Sequence, residues 1–217
     1  MGTAAETEPV NWWTEPEWAQ RYLRERDAIP HRREGITVLI DELLPARVTR
    51  VLDLGTGDGN TLALVLAVRP EATGVGLDFN PEMLARAEER FADDPRVDLA
   101  AHDLDDPLPA GEYDLVVSSF AIHHVVDARK RALYAEVYDR LVPGGAFFNL
   151  EHVASPTPEL HVEFLHAIGK TPETDDPSNK LTPVETQVQW LREIGFVDAD
   201  CFWKWRELAL FGGTKQA

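Results

Sequence analysis

Residues Val51–Thr61 read VLDLGTGDGNT. Apolar Val51, Leu52 and Leu54 surround one acid, Asp53, and glycines then fall at 55, 57 and 59 ahead of the run TLALVLAV. A short apolar run stopped by glycines and followed by a helix-compatible stretch predicts a buried parallel strand, a tight turn and a crossover helix. Glycine is needed there twice over: the turn calls for positive φ, and a side chain would hold the backbone away from a ligand. The stretch reads as a nucleotide-binding turn. A dinucleotide turn would be G-x-G-x-x-G, yet counting from Gly55 its third glycine is Asn60. That substitution and the lack of a Tyr-x-x-x-Lys constellation count against a dehydrogenase.

The next apolar run, Thr73 to Leu77, ends at Asp78, followed by FNPEML. At the end of the second strand of a doubly wound sheet, two carboxylate oxygens match two ribose hydroxyls. Phe79 is placed to lie against an adenine, and Asn80-Pro81 supplies an N-cap and a first helical residue. A helix over 82–91 leads to a third strand, Val97 to Ala101, and to HDLDDPLP, where Asp103 and the N–H of Leu104 are placed for the adenine amino group and a ring nitrogen. A fourth strand from Tyr113 to about Ser118 runs into SSFAIHHV, and a helix over 128–141 ends in the Pro-Gly-Gly entry of a fifth strand, VPGGAFFNLEHVA.

The acid-x-Gly-x-Gly-x-Gly turn, Asp78, Asp103, the S-S-F-x-x-H-H stretch and the L-x-P-G-G entry together resemble the class I S-adenosylmethionine (SAM)-dependent methyltransferases. The resemblance implies an α/β fold: a Rossmann-like, doubly wound, seven-stranded sheet, mostly parallel, with an antiparallel strand near the C-terminus beside the fifth. It implies SAM as cofactor and S-adenosylhomocysteine as product. Asp53, Gly55, Thr56 and Gly57 are then expected at the methionine end, Asp78 and Phe79 at the ribose and adenine, Asp103 and Leu104 at the adenine, and Ser119 and Phe120 near the reactive methyl. A weaker likeness, carried by Ile29-Pro30 and by TPVETQ and WLREIGF near the end, is to the carboxy-SAM synthases. There Arg32 occupies the position of a cofactor-contacting tyrosine, and only Lys170 and Lys180 between 169 and 181 offer a cation for an added carboxylate. A carboxy-SAM-type synthase and a SAM-binding protein without catalysis are the alternatives to methyl transfer.

Candidate proton acceptors are Glu151 and His152 at the tip of the fifth strand, and His123 or His124 in the turn after the fourth. An acid/base pair of Glu151 with His152 and a structural hydrogen bond between them both fit the sequence. For the adjacent histidines, one packing under the helix and the other reaching the pocket is the expected arrangement; no zinc-ligand spacing accompanies them. No metal is expected.

With 217 residues and 44% hydrophobic content, the chain is expected to form a single domain over 1–217, with residues 1–45 as an N-terminal helical cap and 155–182 as a lid or specificity insert. Trp12, Trp13, Arg32 and Arg33 are candidates to line the pocket, and two helices are expected before the first strand, Pro30 marking the break. Lys+Arg 21 against Asp+Glu 38 gives a net charge of −17, a field that repels phosphate backbones. Nucleic acid is therefore not an expected partner; a small-molecule acceptor is. The single cysteine, Cys201, excludes an internal disulfide. Without an apolar leader or a run near the roughly 18 residues of a membrane span, the expectation is a cytoplasmic monomer or homodimer.

Overall fold

The computed structural model describes Gln20, Arg21, Arg24 and residues 28–217. Trp12, Trp13 and the first predicted helix lie outside those residues, apart from Gln20, Arg21 and Arg24. The described chain opens with α1 (Arg32–Val38), which continues as a π-helical turn over Leu39–Leu43. Then follow β1 (Arg50–Leu54), α2 (Asn60–Val68), β2 (Thr73–Asp78), α3 (Pro81–Arg90), β3 (Val97–Ala101), β4 (Tyr113–Ser119), α4 (Asp127–Arg140) and β5 (Leu141–His152). After α5 (Pro158–Ala167) and α6 (Val184–Ile194), strands β6 (Val197–Trp205) and β7 (Leu208–Thr214) complete one seven-stranded sheet of order β3-β2-β1-β4-β5-β7-β6.

Neighbouring strands from β3 through β5 pair in parallel, and β7 is antiparallel to both β5 and β6. This is the expected sheet. Apolar runs on the central strands are buried on both faces because helices cover both. Leu52, Leu54, Val116 and Phe147 point into a core closed by Leu133, Tyr134 and Val137 of α4 and Val188 and Leu191 of α6. Val51, Leu115, Val117, Phe148 and Leu150 point the other way, against Leu39 and against Leu62, Val65 and Leu66 of α2. Period-two alternation thus divides each strand between two cores.

The strand order reverses between β1 and β4, and in an open sheet of this kind the crevice lies there, outside the carboxyl ends of the strands. Gly55, Gly57 and Gly59 all have positive φ, at 65°, 58° and 77°. At Gly55 space is short as well: an added Cβ would lie 2.1 Å from the Cβ of Ala121, in the turn after β4. Gly55→Ala should therefore combine left-handed strain with overpacking and cost on the order of 2–4 kcal/mol. A urea unfolding midpoint equal to that of the wild type would contradict this packing.

Candidate functional site

A cleft of about 930 Å³, its open mouth included, crosses the carboxyl ends of β1 to β4. From β1 come Gly55, Thr56 and Gly57, from β2 Asp78 and Phe79, from β3 Asp103 and Leu104, and from β4 Ser119 and Phe120. Arg32, at the start of α1, lines the same cleft. The structure thus brings ten of the eleven expected cofactor-binding residues to one cavity. Asp78 is nearly buried, and its two oxygens accept from the N–H groups of Gly57 and Asn80, each at 2.8 Å. Further lone pairs on each oxygen remain for hydroxyl donors. Burial raises its pKa, opposed by those backbone bonds. Asn80 caps α3 by accepting from Glu82 and Met83 N–H, so strand end, acid and helix start form one rigid corner.

Asp53 is the exception. It is 1% exposed and lies in the wall rather than on the cleft surface. Its Oδ2 accepts from Thr56 Oγ1 at 2.7 Å, while its Oδ1 is buried with no hydrogen-bond partner. Burial lifts its pKa from 3.8 to about 7, against the lowering effect of Thr56. A carboxylate with one unsatisfied oxygen, close to charging, is a group whose ionised form a neighbouring cation would favour.

None of the expected catalytic residues Glu151, His152 and His123 lines the cleft. Adjacent residues of a strand face opposite sides of the sheet, so the side chains of Glu151 and His152 part company; only the His152 backbone N–H donates to Glu151 Oε1, at 2.8 Å. Glu151 Oε1 instead lies 2.5 Å from His123 Nδ1, and both residues are buried. Burial pushes Glu151 up to about 7 and holds His123 well below its usual value, so both shifts favour neutral partners. His152 Nε2 lies 2.8 Å from Glu207 Oε2, and His161 Nδ1 lies 2.9 Å from Glu207 Oε1. The expected Glu151–His152 pair is thus corrected to two pairs, Glu151 with His123 and His152 with Glu207, which meet where the His123 and His152 rings stand edge-on with centroids 5.7 Å apart. Of the two turn histidines it is His123 that packs inward and His124 that lines the cleft.

Residues 51–145 match the family described as a methyltransferase domain. A trans-aconitate 2-methyltransferase of Streptomyces avermitilis is 36% identical over 160 residues, which are 70% of this chain and 58% of that relative. The segment from β1 to the start of β5 is similar in sequence to methyltransferase domains, and the sheet as a whole shares the fold of solved methyltransferases. An O-methyltransferase family protein from Burkholderia thailandensis shares the fold with a TM-score of 0.73 at 21% identity, over 98% of this chain and 66% of that one. Human N-acetylserotonin methyltransferase, solved in complex with SAM, aligns with a TM-score of 0.61 at 18% identity, over 94% of this chain and 60% of its own. The chain spans about three fifths of the length of the first of these relatives.

His102 and Met83 are among the cleft residues that the sequence reading did not single out. His102, in HDLDD, lines the cleft with its Nε2 buried and without a hydrogen-bond partner, and Met83 reaches it from α3. Only His102 carries a sequence signal, its place directly before Asp103. The segment expected as a lid is fastened to the domain. Lys180 N–H and Nζ donate to the carbonyls of His123 and His124, at 2.8 and 2.6 Å, and Ser178 Oγ lies 3.0 Å from His124 Nδ1. Buried Lys130 of α4 donates to Thr182 Oγ1 at 2.7 Å and to the Lys180 carbonyl. Among the described residues no group of three or more His, Cys, Asp or Glu could hold a metal, and no helix is long and apolar enough to cross a membrane.

Because burial raises Glu151 from 4.5 to about 7, the native state holds the extra proton between those values. Its contribution to stability therefore falls as pH rises through that window. Glu151→Gln keeps a hydrogen-bonding group beside His123 and removes this loss, so the thermal midpoint of the variant relative to the wild type should climb between pH 5 and pH 8. A difference that is flat or falls with pH would contradict the buried neutral pair.

Proposed function

We propose that this chain binds SAM in the cleft and transfers its methyl group to a small-molecule acceptor by in-line displacement, releasing S-adenosylhomocysteine. The observation that carries the reading is Asp78: a nearly buried carboxylate at the end of β2, held by Gly57 and Asn80 N–H, beside a turn of three positive-φ glycines. Such a corner suits ribose hydroxyls and offers no phosphate cradle, since the third glycine of a dinucleotide turn is Asn60. The SAM-bound human neighbour supports the same assignment.

Bound there, SAM would supply an activated methyl group, carried on a sulfonium, to a lone pair of the acceptor. The task of the chain is to hold and orient. Asp78 accepts from the ribose hydroxyls; Asp103 and the Leu104 N–H meet the adenine edge, with Phe79 and Met83 as apolar walls. Gly55, Thr56 and Gly57 let the methionine end lie against backbone, and Asp53 beneath them supplies negative charge toward its ammonium. Ser119 and Phe120 close the β4 end. Holding the reacting groups in line accounts for much of the acceleration of such a transfer. Glu151 and His123 act as positioning groups, fixing the turn that carries Phe120 and His124. A carboxy-SAM-type reading is not favoured, because neither Lys170 nor Lys180 lines the cleft and Lys180 is engaged with the His124 carbonyl.

Calorimetric titration with SAM, S-adenosylhomocysteine and NAD in parallel tests the cofactor: the two adenosyl ligands should bind and NAD should not, and NAD binding alone would overturn the reading. Asp78→Ala should weaken SAM by about 1.5–3 kcal/mol, the scale of lost charge-assisted hydrogen bonds; unchanged affinity would refute the ribose contact. A ligand ammonium draws Asp53 to its charged form. SAM binding near pH 6.5 should therefore release protons, seen as a dependence of binding heat on buffer ionisation enthalpy, and affinity should drop as pH falls below about 7. Heats independent of the buffer would remove Asp53 from the ammonium site.

A further inference from the structure

Among the described residues, none answers one polar group at the β3 end of the cleft. His102 follows β3 directly and lines the cleft, and its Nε2 is buried without a hydrogen-bond partner in the structure. An imidazole nitrogen left in that state costs free energy comparable to a lost hydrogen bond. At the lining of a cleft it marks a place for a partner that arrives from outside the chain.

The backbone beneath that ring is fixed. His102 N–H donates to the Asp78 carbonyl at 2.9 Å, one step past the pairing of Ala101 with Asp78, so the strand end that holds the Asp78 carboxylate also sets where the imidazole stands. The side chain is half-buried, and the torsion that aims a histidine ring is broad, so Nε2 can turn toward a ligand without movement of the chain. Around it Phe79, Met83 and Leu104 are apolar, while Asp103 and Asp105 are acids. Apolar walls with a few polar groups along one side suit a flat base, apolar on its faces and polar on its edge. Asp103 is the weaker of the two candidates to meet that edge. It is exposed, and its Oδ1 already accepts from the Asp105 N–H at 3.0 Å. A hydrogen bond gains strength away from water, which favours His102.

We propose that His102 reads the base of the cofactor, its Nε2 accepting from the adenine amino group, and that it contributes more to base selection than Asp103 does. This rests on the reading of the cleft as the SAM site. The amino group carries two hydrogens, one for His102 and one for Asp103. A neutral imidazole that accepts at Nε2 keeps its own hydrogen on Nδ1. His102 thus holds the cofactor at the end of the cleft away from β4, and it moves no proton.

The test uses the full-length chain as wild type, His102→Phe, His102→Gln and Asp103→Ala. Each is titrated calorimetrically with S-adenosylhomocysteine and with its analogue that carries hydrogen in place of the adenine amino group. Wild type should prefer S-adenosylhomocysteine by about tenfold, the scale of one buried hydrogen bond. In His102→Phe, which keeps a ring and loses the nitrogen, the preference should fall to about threefold or less, through weaker binding of S-adenosylhomocysteine with the analogue little changed. His102→Gln, whose side-chain carbonyl reaches close to the place of Nε2, should retain part of the preference, and Asp103→Ala should retain most of it. A preference as large in His102→Phe as in wild type would overturn the proposal. So would equal losses of both ligands in that variant, which would make the ring a packing group only. A preference abolished by Asp103→Ala and untouched by His102→Phe, or a wild type that binds both ligands equally, would overturn it too, with the cofactor reading left standing. Wild type that binds neither ligand would bring down the cofactor reading and the proposal with it.

Discussion

The ligand end of the molecule depends on one tight turn kept in shape by two acids. Three glycines with positive φ carry the chain from the end of β1 into α2, and such a path has no hydrogen bonds of its own from a strand or helix to hold it. Asp53 holds it from below through the Thr56 hydroxyl, Asp78 from the side through the Gly57 N–H, and the Leu77 carbonyl of β2 accepts from the Thr56 N–H at 2.8 Å. Strand β2 thereby fixes the turn of β1. Because Asp78 also bonds to Asn80 N–H, the same carboxylate sets the start of α3. Both acids are buried at a cost, seen in their raised pKa values, and a cost of that kind persists where a site needs the group.

The other side of the cleft is held differently. The turn after β4 carries Phe120, Ala121 and His124 to the cleft, and its support is the buried contact of His123 with Glu151 on β5. The segment around Ser178 and Lys180 adds bonds to the carbonyls and ring of the same histidines, and Lys130 ties that segment to α4. A buried, neutral, hydrogen-bonded pair stiffens a turn without leaving an uncompensated charge inside the protein. Rigid acids thus frame the β1 to β3 side of the cleft, and a braced turn frames the β4 side.

Much of this was legible in the chain because the signals are local. Apolar runs that stop at Gly55, Asp78, His102 and Ser118 mark strands β1 to β4, and the residues that follow each strand end must meet at the crevice once the strands lie parallel; Asp78 and Asp103 needed no more than that. The pairing of Glu151 could not be read in the same way. Its partner His123 is 28 residues away, brought close by the β4–β5 register that sets Ser119 opposite Leu150. His152, next in sequence, faces the other side and meets Glu207, which the antiparallel return of β7 places beside it through the pairing of His152 with Leu208. Glu151 and His152 are neighbours in sequence with different side-chain partners, and the His123 ring between them meets the His152 ring edge-on with centroids 5.7 Å apart. The depth of Asp53 was hidden for a related reason: its strand position was evident, while the Thr56 hydroxyl that covers one of its oxygens belongs to a turn with no periodicity to read.

The central claim is that this turn and its two acids hold an adenosyl ligand across the ends of β1, β2 and β3. A crystal structure of the protein with S-adenosylhomocysteine tests it most directly. The account predicts the ribose hydroxyls on the Asp78 carboxylate, the adenine beside Asp103 and Leu104, and the homocysteine end over Gly55 to Gly57, with the turn unmoved. A ligand bound elsewhere, or one whose ribose makes no contact with Asp78, would contradict it.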